Sequence, residues 1–227
     1  MRRPGRTAIP SVLVVAVVLG GCGGTTTSPT RTSTTATTGT PATSPDAATS
    51  TALWPTAASA TRYPTPESAA RGFATGFLSM VDPVVGTFRQ GDARSGEVPV
   101  RPDPGGPETT VLVRQLTAAN SWWVLGSATA AISISQPATL ATVSSPLTVR
   151  GTSTAYEATV DVSLRLDDAT APLAEGTAMG GANGQMGPFE TTLDFAAPTG
   201  RRGALVVSTT SAKDGTVAQA TAIRVRF

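Results

Sequence analysis

The sequence predicts a mainly β fold, in which a C-terminal β-sandwich of about seven short strands (residues 131–227) follows a small α+β unit (residues 62–130). Apolar and polar residues alternate with a period of two in several C-terminal segments, as strands with one buried and one wet face require. Glycines, prolines and other turn-forming residues separate these segments at short intervals. One segment, after Thr65, instead carries apolar residues at helical spacing.

The first 22 residues have the pattern of a secretion signal. Arg2, Arg3 and Arg6 precede an apolar run over residues 12–19, and Leu19-Gly20-Gly21-Cys22 closes it. Eight apolar residues are too few to span a membrane, which takes about 20 in a helix. We therefore expect residues 1–21 to be a removable signal peptide.

The small residues before Cys22 resemble the bacterial lipobox. The resemblance implies that the Cys22 sulfur takes a diacylglycerol and that Cys22 becomes the mature N-terminus. Two or three acyl chains anchor a protein stably, whereas one does so only marginally. The expected location is the outer face of the bacterial cytoplasmic membrane; the alternative is a plain signal peptide with an incidental Cys22.

Charge and cysteine content exclude two classes of protein. The chain has 17 basic and 15 acidic residues, and removal of the three signal arginines leaves 14 basic residues and a net charge of −1. Nucleic-acid binding is not expected, because no basic excess remains. With one cysteine, no disulfide forms within the chain.

Residues 22–61 are expected to form a disordered tether behind the lipidated Cys22. The segment is dominated by Thr, Ser, Ala and Pro, and such a composition buries too little apolar surface to offset its ordering entropy.

The α+β unit is predicted to begin with a helix. Thr65 is a suitable N-cap, Pro66 suits the first helical position, and an apolar stripe that includes Phe73 and Phe77 extends the helix to about Val81. Short strands are expected at 97–101, 109–116 and 121–128.

Trp122 and Trp123 are the candidate partner-binding or domain-junction residues. Adjacent strand residues face opposite sides of a sheet, so one indole is expected in the core and the other at a partly exposed or interfacial position. Packing between the two units is one interpretation, and an exposed aromatic surface for a glycan or peptide is the other.

The C-terminal 96 residues are predicted to be all-β. About seven strands in fewer than 100 residues favour an immunoglobulin-like sandwich, in which aliphatic packing replaces the absent disulfide. The predicted strands lie near 132–135, 147–150, 160–167, 172–178, 189–195, 204–210 and 222–227.

Several motifs in this region resemble the immunoglobulin-like Gmad domain of bacterial spore-germination proteins. The resemblance covers residues 132–227 and implies an extracytoplasmic binding or scaffolding domain without catalysis. The matching motifs are Gln136-Pro137, Ser145-Pro146-Leu147-Thr148-Val149-Arg150-Gly151-Thr152, Tyr156-Glu157-Ala158, Leu173-Ala174-Glu175-Gly176, Gly184-Gln185-Met186-Gly187-Pro188-Phe189 and Ala212-Lys213-Asp214-Gly215.

The residue inventory predicts no enzyme, no cofactor and no metal. The chain has no histidine and its only cysteine is assigned to lipid, which removes histidine-dependent triads, thiol nucleophiles and His/Cys zinc sites. Lys213 is expected at a hairpin tip, and Asp167-Asp168 at a strand end, with a weak calcium site as the less favoured interpretation. The glycine-rich loop 180–184 joins two strands and is not expected to cradle a phosphate.

The sequence therefore predicts a cell-envelope lipoprotein that displays an immunoglobulin-like binding or scaffolding domain. Its expected partners are the membrane, through the lipid, and an envelope protein or cell-wall glycan. One alternative is a carboxylate-dependent glycan hydrolase that uses Glu157, Glu175 or Glu190, which requires two of them roughly 5 to 10 Å apart in one cleft. The other is a structural spacer, which predicts that neither Trp122 nor Trp123 is exposed and that no apolar patch exceeds ordinary surface size.

Overall fold

The computed structural model describes residues 48–117, 119–167, 169–196 and 198–227. The predicted signal peptide, Cys22 and most of the predicted tether lie outside the described residues. Within the described ranges no helix has the length and apolar character to cross a membrane.

Helix α1 spans Pro66–Gly76 and starts with a capping box. The Thr65 hydroxyl accepts a hydrogen bond from the Ser68 amide at 3.2 Å, and the Ser68 hydroxyl accepts one from the Thr65 amide at 3.3 Å. The predicted extension to Val81 is wrong. The chain leaves the helix after Gly76 and takes a left-handed conformation at Ser79, where φ is 61°.

The strands of the described chain form two sheets. In the larger sheet the order is β1-β3-β4-β5-β13-β12-β8-β9, with β2 paired to β3; in the smaller, β7 pairs with β6, β10 and β11. The strands are β1 Val84–Val85, β2 Arg89–Gln90, β3 Ser95–Arg101, β4 Thr109–Gln115, β5 Trp122–Ala128, β6 Ile132–Gln136, β7 Leu147–Ala155, β8 Thr159–Leu166, β9 Ala174–Met179, β10 Gly181–Ala182, β11 Gly187–Leu193, β12 Arg202–Thr210 and β13 Val217–Arg226.

The mainly β fold class and the sandwich are confirmed. After residue 131, β8, β9, β12 and β13 belong to the larger sheet, and β6, β7, β10 and β11 to the smaller one. Seven of these eight strands have five or more residues, and β10 is a two-residue addition beside β7.

Two apolar cores lie on opposite faces of the larger sheet. The sandwich core fills the space between the sheets and includes Leu205 and Val207 of β12. The second core lies beneath α1 and includes Ala204 and Val206 of the same strand. The molecule therefore has three layers at this point, helix, larger sheet and smaller sheet, and β12 is buried on both faces.

The larger sheet is continuous across residues 130 and 131. Strand β5 pairs with β13 at Ser127 and Ala222, and buried hydroxyl groups reinforce the junction. The Ser127 hydroxyl donates to the Ala220 carbonyl at 2.9 Å, and the Thr109 hydroxyl accepts from the Ala220 amide at 3.1 Å. The α+β unit and the sandwich thus share the larger sheet and both contribute to the core beneath α1.

Residues 48–61, which the sequence placed in the disordered tether, are folded onto this sheet. The Leu53 side chain is 1% exposed, and the backbones of Leu53 and Trp54 bond to Val124 of β5. Arg224 of β13, itself 1% exposed, donates to the Ser50 carbonyl at 3.2 Å and pairs through both terminal nitrogens with Asp167. The predicted disordered tether is therefore wrong for residues 48–61. Leu53 and Trp54 supply apolar surface that the average composition of residues 22–61 concealed.

A candidate binding surface at the loop end of the sandwich

Trp122 and Trp123, the candidate site residues from the sequence, lie at the start of β5, in the part of the molecule that contains α1. Trp122 is half-buried in the core beneath α1, where its ring meets Phe88 edge to face at 5.2 Å. Trp123 is 1% exposed, and the Arg62 guanidinium lies 5.1 Å from its ring centroid. The strand meets β13 at its other end, at Ser127. One indole is thus core and one partly exposed, as strand alternation predicts.

The three candidate glutamates of the hydrolase alternative lie on different elements. Glu157 is in the turn between β7 and β8, Glu175 is on β9, and Glu190 is on β11; all three are exposed. Arg150 binds Glu190 through two hydrogen bonds of 2.8 and 3.0 Å, which lower the pKa of the Glu190 carboxyl. A general acid needs the opposite shift.

The remaining candidates have structural partners. Lys213 is exposed at the tip of the β12–β13 hairpin, where the Asp214 carboxylate accepts hydrogen bonds from Thr216. Asp167 is paired with Arg224, and Asp168 lies outside the described residues. Among the residues that the structure describes, no group of three or more His, Cys, Asp or Glu side chains is placed to hold a metal ion.

Two turns that are distant in the sequence meet at one end of the sandwich. The β7–β8 turn at 155–158 is bonded to the segment 180–186, because the Gly180 amide donates to the Ala158 carbonyl at 2.7 Å and the Asn183 amide to the Ala155 carbonyl at 3.3 Å. Asn183 and Gly184 both have positive φ values, of 52° and 79°, in a tight turn of the primed type. The turns are therefore rigidly defined by backbone bonds.

Large apolar side chains are exposed at this end. Tyr156 is 76% exposed, Met179 65% and Met186 47%, and the Met179 sulfur contacts the Thr159 hydroxyl at 3.6 Å. We call these three residues the loop-end surface. Tyrosine supplies a large contact area at low entropic cost, and methionine adapts its shape to a partner.

A cleft of about 360 Å³ lies beside the loop-end surface. Its lining includes Tyr156, Asn183, Thr210 and Gln219, together with Pro107 from the loop between β3 and β4. None of these is a carboxylate, a histidine or a cysteine, so the arrangement is suited to contact and hydrogen bonding, and it contains no acid–base pair.

Sequence reasoning missed this surface as a site. Tyr156 and Met186 appear in the motifs quoted above, but no local signal shows that the two turns meet. The β7–β8 turn and the 180–186 segment become neighbours only through the pairing of β10 with β7 and of β9 with β8. The primed turn at Asn183-Gly184 is the one feature that the sequence marks, since such turns favour this pair.

Comparison with known proteins identifies the sandwich. No curated protein and no solved structure matches the chain. One family model does, over the residues that contain β6 to β12 and the β12–β13 hairpin turn. The resemblance stated from the sequence motifs is thereby confirmed: residues 131–216 match Gmad2, the immunoglobulin-like domain of bacterial spore germination.

Proposed function

We propose that this chain is a lipid-anchored, non-enzymatic protein of the bacterial cell envelope, whose immunoglobulin-like domain binds a protein partner outside the cytoplasmic membrane. The observation that carries the proposal is the loop-end surface, where Tyr156 and Met186 on backbone-bonded turns and Met179 at the end of β9 expose apolar area. Exposed apolar side chains gathered at one end of a soluble domain are typical of an interaction site. Spore germination, named in the family description, is the process in which the partner is first sought.

The alternatives receive less support from the geometry. Trp122 is half-buried and Trp123 is buried, as a spacer predicts, but Tyr156 is 76% exposed at the loop end, which a spacer does not need. A glycan hydrolase needs two carboxyl groups in one cleft and a raised pKa on one of them, whereas Glu190 is held ionised by Arg150.

The lipid anchor is tested by changing Cys22. In cells fed an alkyne-labelled fatty acid, we expect the wild-type protein to carry the label and to sediment with membranes, because Cys22 follows the lipobox pattern. Cys22→Ala should lose both properties while Ser211→Ala keeps them. A Cys22→Ala protein that still carries lipid would contradict the anchor.

The loop-end surface is tested by photo-crosslinking in intact cells. A photoreactive phenylalanine at position 156 is expected to give a discrete crosslinked species, and the same residue at Val81, which is 63% exposed on the other half of the molecule, is not. Met186→Ser combined with the probe at 156 should reduce the yield. Equal crosslinking from both positions, or none from 156, refutes this surface as the binding site.

A further inference from the structure

A second cleft, separate from the loop-end surface, lies where the end of α1, the segment 54–56 and the end of β8 meet. Its volume is about 390 Å³, which is in the range of small-ligand sites. Trp54 and Phe77 supply aromatic surface with ring centroids 6.3 Å apart, and Thr56 and Thr170 supply hydroxyl groups. We call it the junction cleft.

Arg165 of β8 is the cation of the junction cleft. Its Nη1 donates to the Phe77 carbonyl at 2.6 Å, its Nε to the Ser163 hydroxyl at 3.0 Å, and its guanidinium lies 5.4 Å from the Phe77 ring centroid. These bonds use only part of the five donors of a guanidinium. Among the described residues, no carboxylate lies within ion-pair distance of Arg165.

The other charges near Arg165 leave its charge only partly balanced. Asp167 also lines the cleft, but its carboxylate is engaged by the buried Arg224. Glu175 of β9, exposed on the neighbouring strand, attracts Arg165 through space without a direct contact. Burial lowers the pKa of the Arg165 guanidinium, as expected for a cation that lacks a bound partner.

A second groove extends the junction cleft. It has a volume of about 230 Å³, shares Thr56 and Asp167 with the junction cleft, and leads to Arg202, which is exposed. The two cavities therefore adjoin at Thr56 and Asp167, with Arg165 in one and Arg202 in the other.

We infer that the junction cleft binds a carboxylate borne on a sugar ring, with Arg165 pairing the carboxylate and Trp54 contacting the apolar face of the ring, while Phe77, stacked on Phe73, holds the Arg165 guanidinium in place. The cation selects the negative charge, the aromatic carbons favour a ring with apolar C–H faces, and the threonine hydroxyls suit its polar edges. The site shares no residue with the loop-end surface, so it stands or fails independently of the proposed protein partner.

Calorimetric titration of the full-length chain tests the site with three probes. N-acetylmuramic acid carries the ring and a carboxylate, N-acetylglucosamine carries the same ring without one, and lactate is the carboxylate alone. We expect N-acetylmuramic acid to bind at least about tenfold more tightly than either other probe, since N-acetylglucosamine lacks the charge-assisted bond to Arg165 and lactate lacks the ring contacts. No binding of N-acetylmuramic acid, or equal binding of either other probe, overturns the inference.

Two variants locate the binding. Arg165→Gln should weaken the affinity for N-acetylmuramic acid by about tenfold or more. Arg114 is an exposed arginine on β4, and Arg114→Gln should leave that affinity unchanged. Glu175→Gln should increase the affinity for N-acetylmuramic acid by roughly twofold to fivefold, because the substitution removes a negative charge near Arg165 and keeps the size of the exposed side chain. If Arg165→Gln fails to fold, Glu175→Gln still tests the assignment of Arg165. An unchanged or weaker affinity of Glu175→Gln for N-acetylmuramic acid refutes that assignment.

Discussion

Individual residues explain features that composition alone leaves unaccounted for. Gly72 lowers the helix propensity of α1, yet a Cβ at that position would lie 2.2 Å from the Tyr63 hydroxyl oxygen. Tyr63 is held there because its hydroxyl accepts a hydrogen bond from the Trp54 indole at 3.0 Å. The glycine therefore allows the segment before α1 to pack against the helix.

The pair of Arg150 and Glu190 predicts a small acid sensitivity. Arg150 lowers the pKa of Glu190 below its ordinary value of 4.5, so the pair stabilises the fold above that value and the contribution disappears as pH falls through the lowered pKa. Both side chains are exposed, so the effect is small. The melting temperature of Glu190→Gln should lie slightly below that of wild type at pH 7, and the difference should narrow as the pH falls through the lowered pKa of Glu190.

Thermal unfolding followed by circular dichroism provides the measurement for this pair. Glu157→Gln is the matched control, because Glu157 is an exposed glutamate in a turn. A difference between Glu190→Gln and wild type that does not narrow as the pH is lowered below 4.5 to the acid limit would show that the substitution acts through something other than the charge of Glu190.

At the scale of elements, the segment before α1 is part of the fold. Leu53 is buried in the core beneath α1, next to the backbone bonds that join the segment to β5. Leu53→Ala is expected to lower the free energy of unfolding by about 2–5 kcal/mol, because it leaves a cavity in a closed core. Urea denaturation monitored by tryptophan fluorescence measures the loss.

Leu112→Ala is the control for Leu53→Ala. Leu112 lies on β4 and is 37% exposed, so its truncation removes far less buried area. Equal destabilisation by the two variants would contradict the docking of residues 48–61 on the sheet.

At the scale of the whole molecule, the shared sheet makes the immunoglobulin-like domain dependent on the residues before it. A fragment of residues 131–227 would expose Ala204, Val206, Ala220 and Ala222, which α1 and its neighbours cover in the complete chain. It should therefore unfold at a lower urea concentration than residues 48–227, or aggregate through the uncovered face. A fragment with the same midpoint as the longer chain would show that the two halves fold independently.

Much of the fold is predictable from local sequence. The alternation in 160–167 and the N-cap at Thr65 are encoded by neighbouring residues, and both elements form where they are expected. The end of α1 is not encoded by neighbouring residues. The Phe77 carbonyl, directly after the helix, accepts a hydrogen bond from Arg165, which is 88 positions away in the chain. Helix ends that are completed by distant side chains leave no local signal.

Sequence alone is sufficient for the mainly β class and the sandwich, since period-two patterning and turn chemistry act over a few residues, and the resemblance of its motifs is sufficient for the family match of the sandwich. Only the tertiary structure decides that Trp54 belongs to the folded body, that one sheet joins both halves, and that Tyr156, Met179 and Met186 share one end. The physical reason is that strand pairing and burial are set by the packing of the entire chain. Residues far apart in sequence become neighbours only when both cores close.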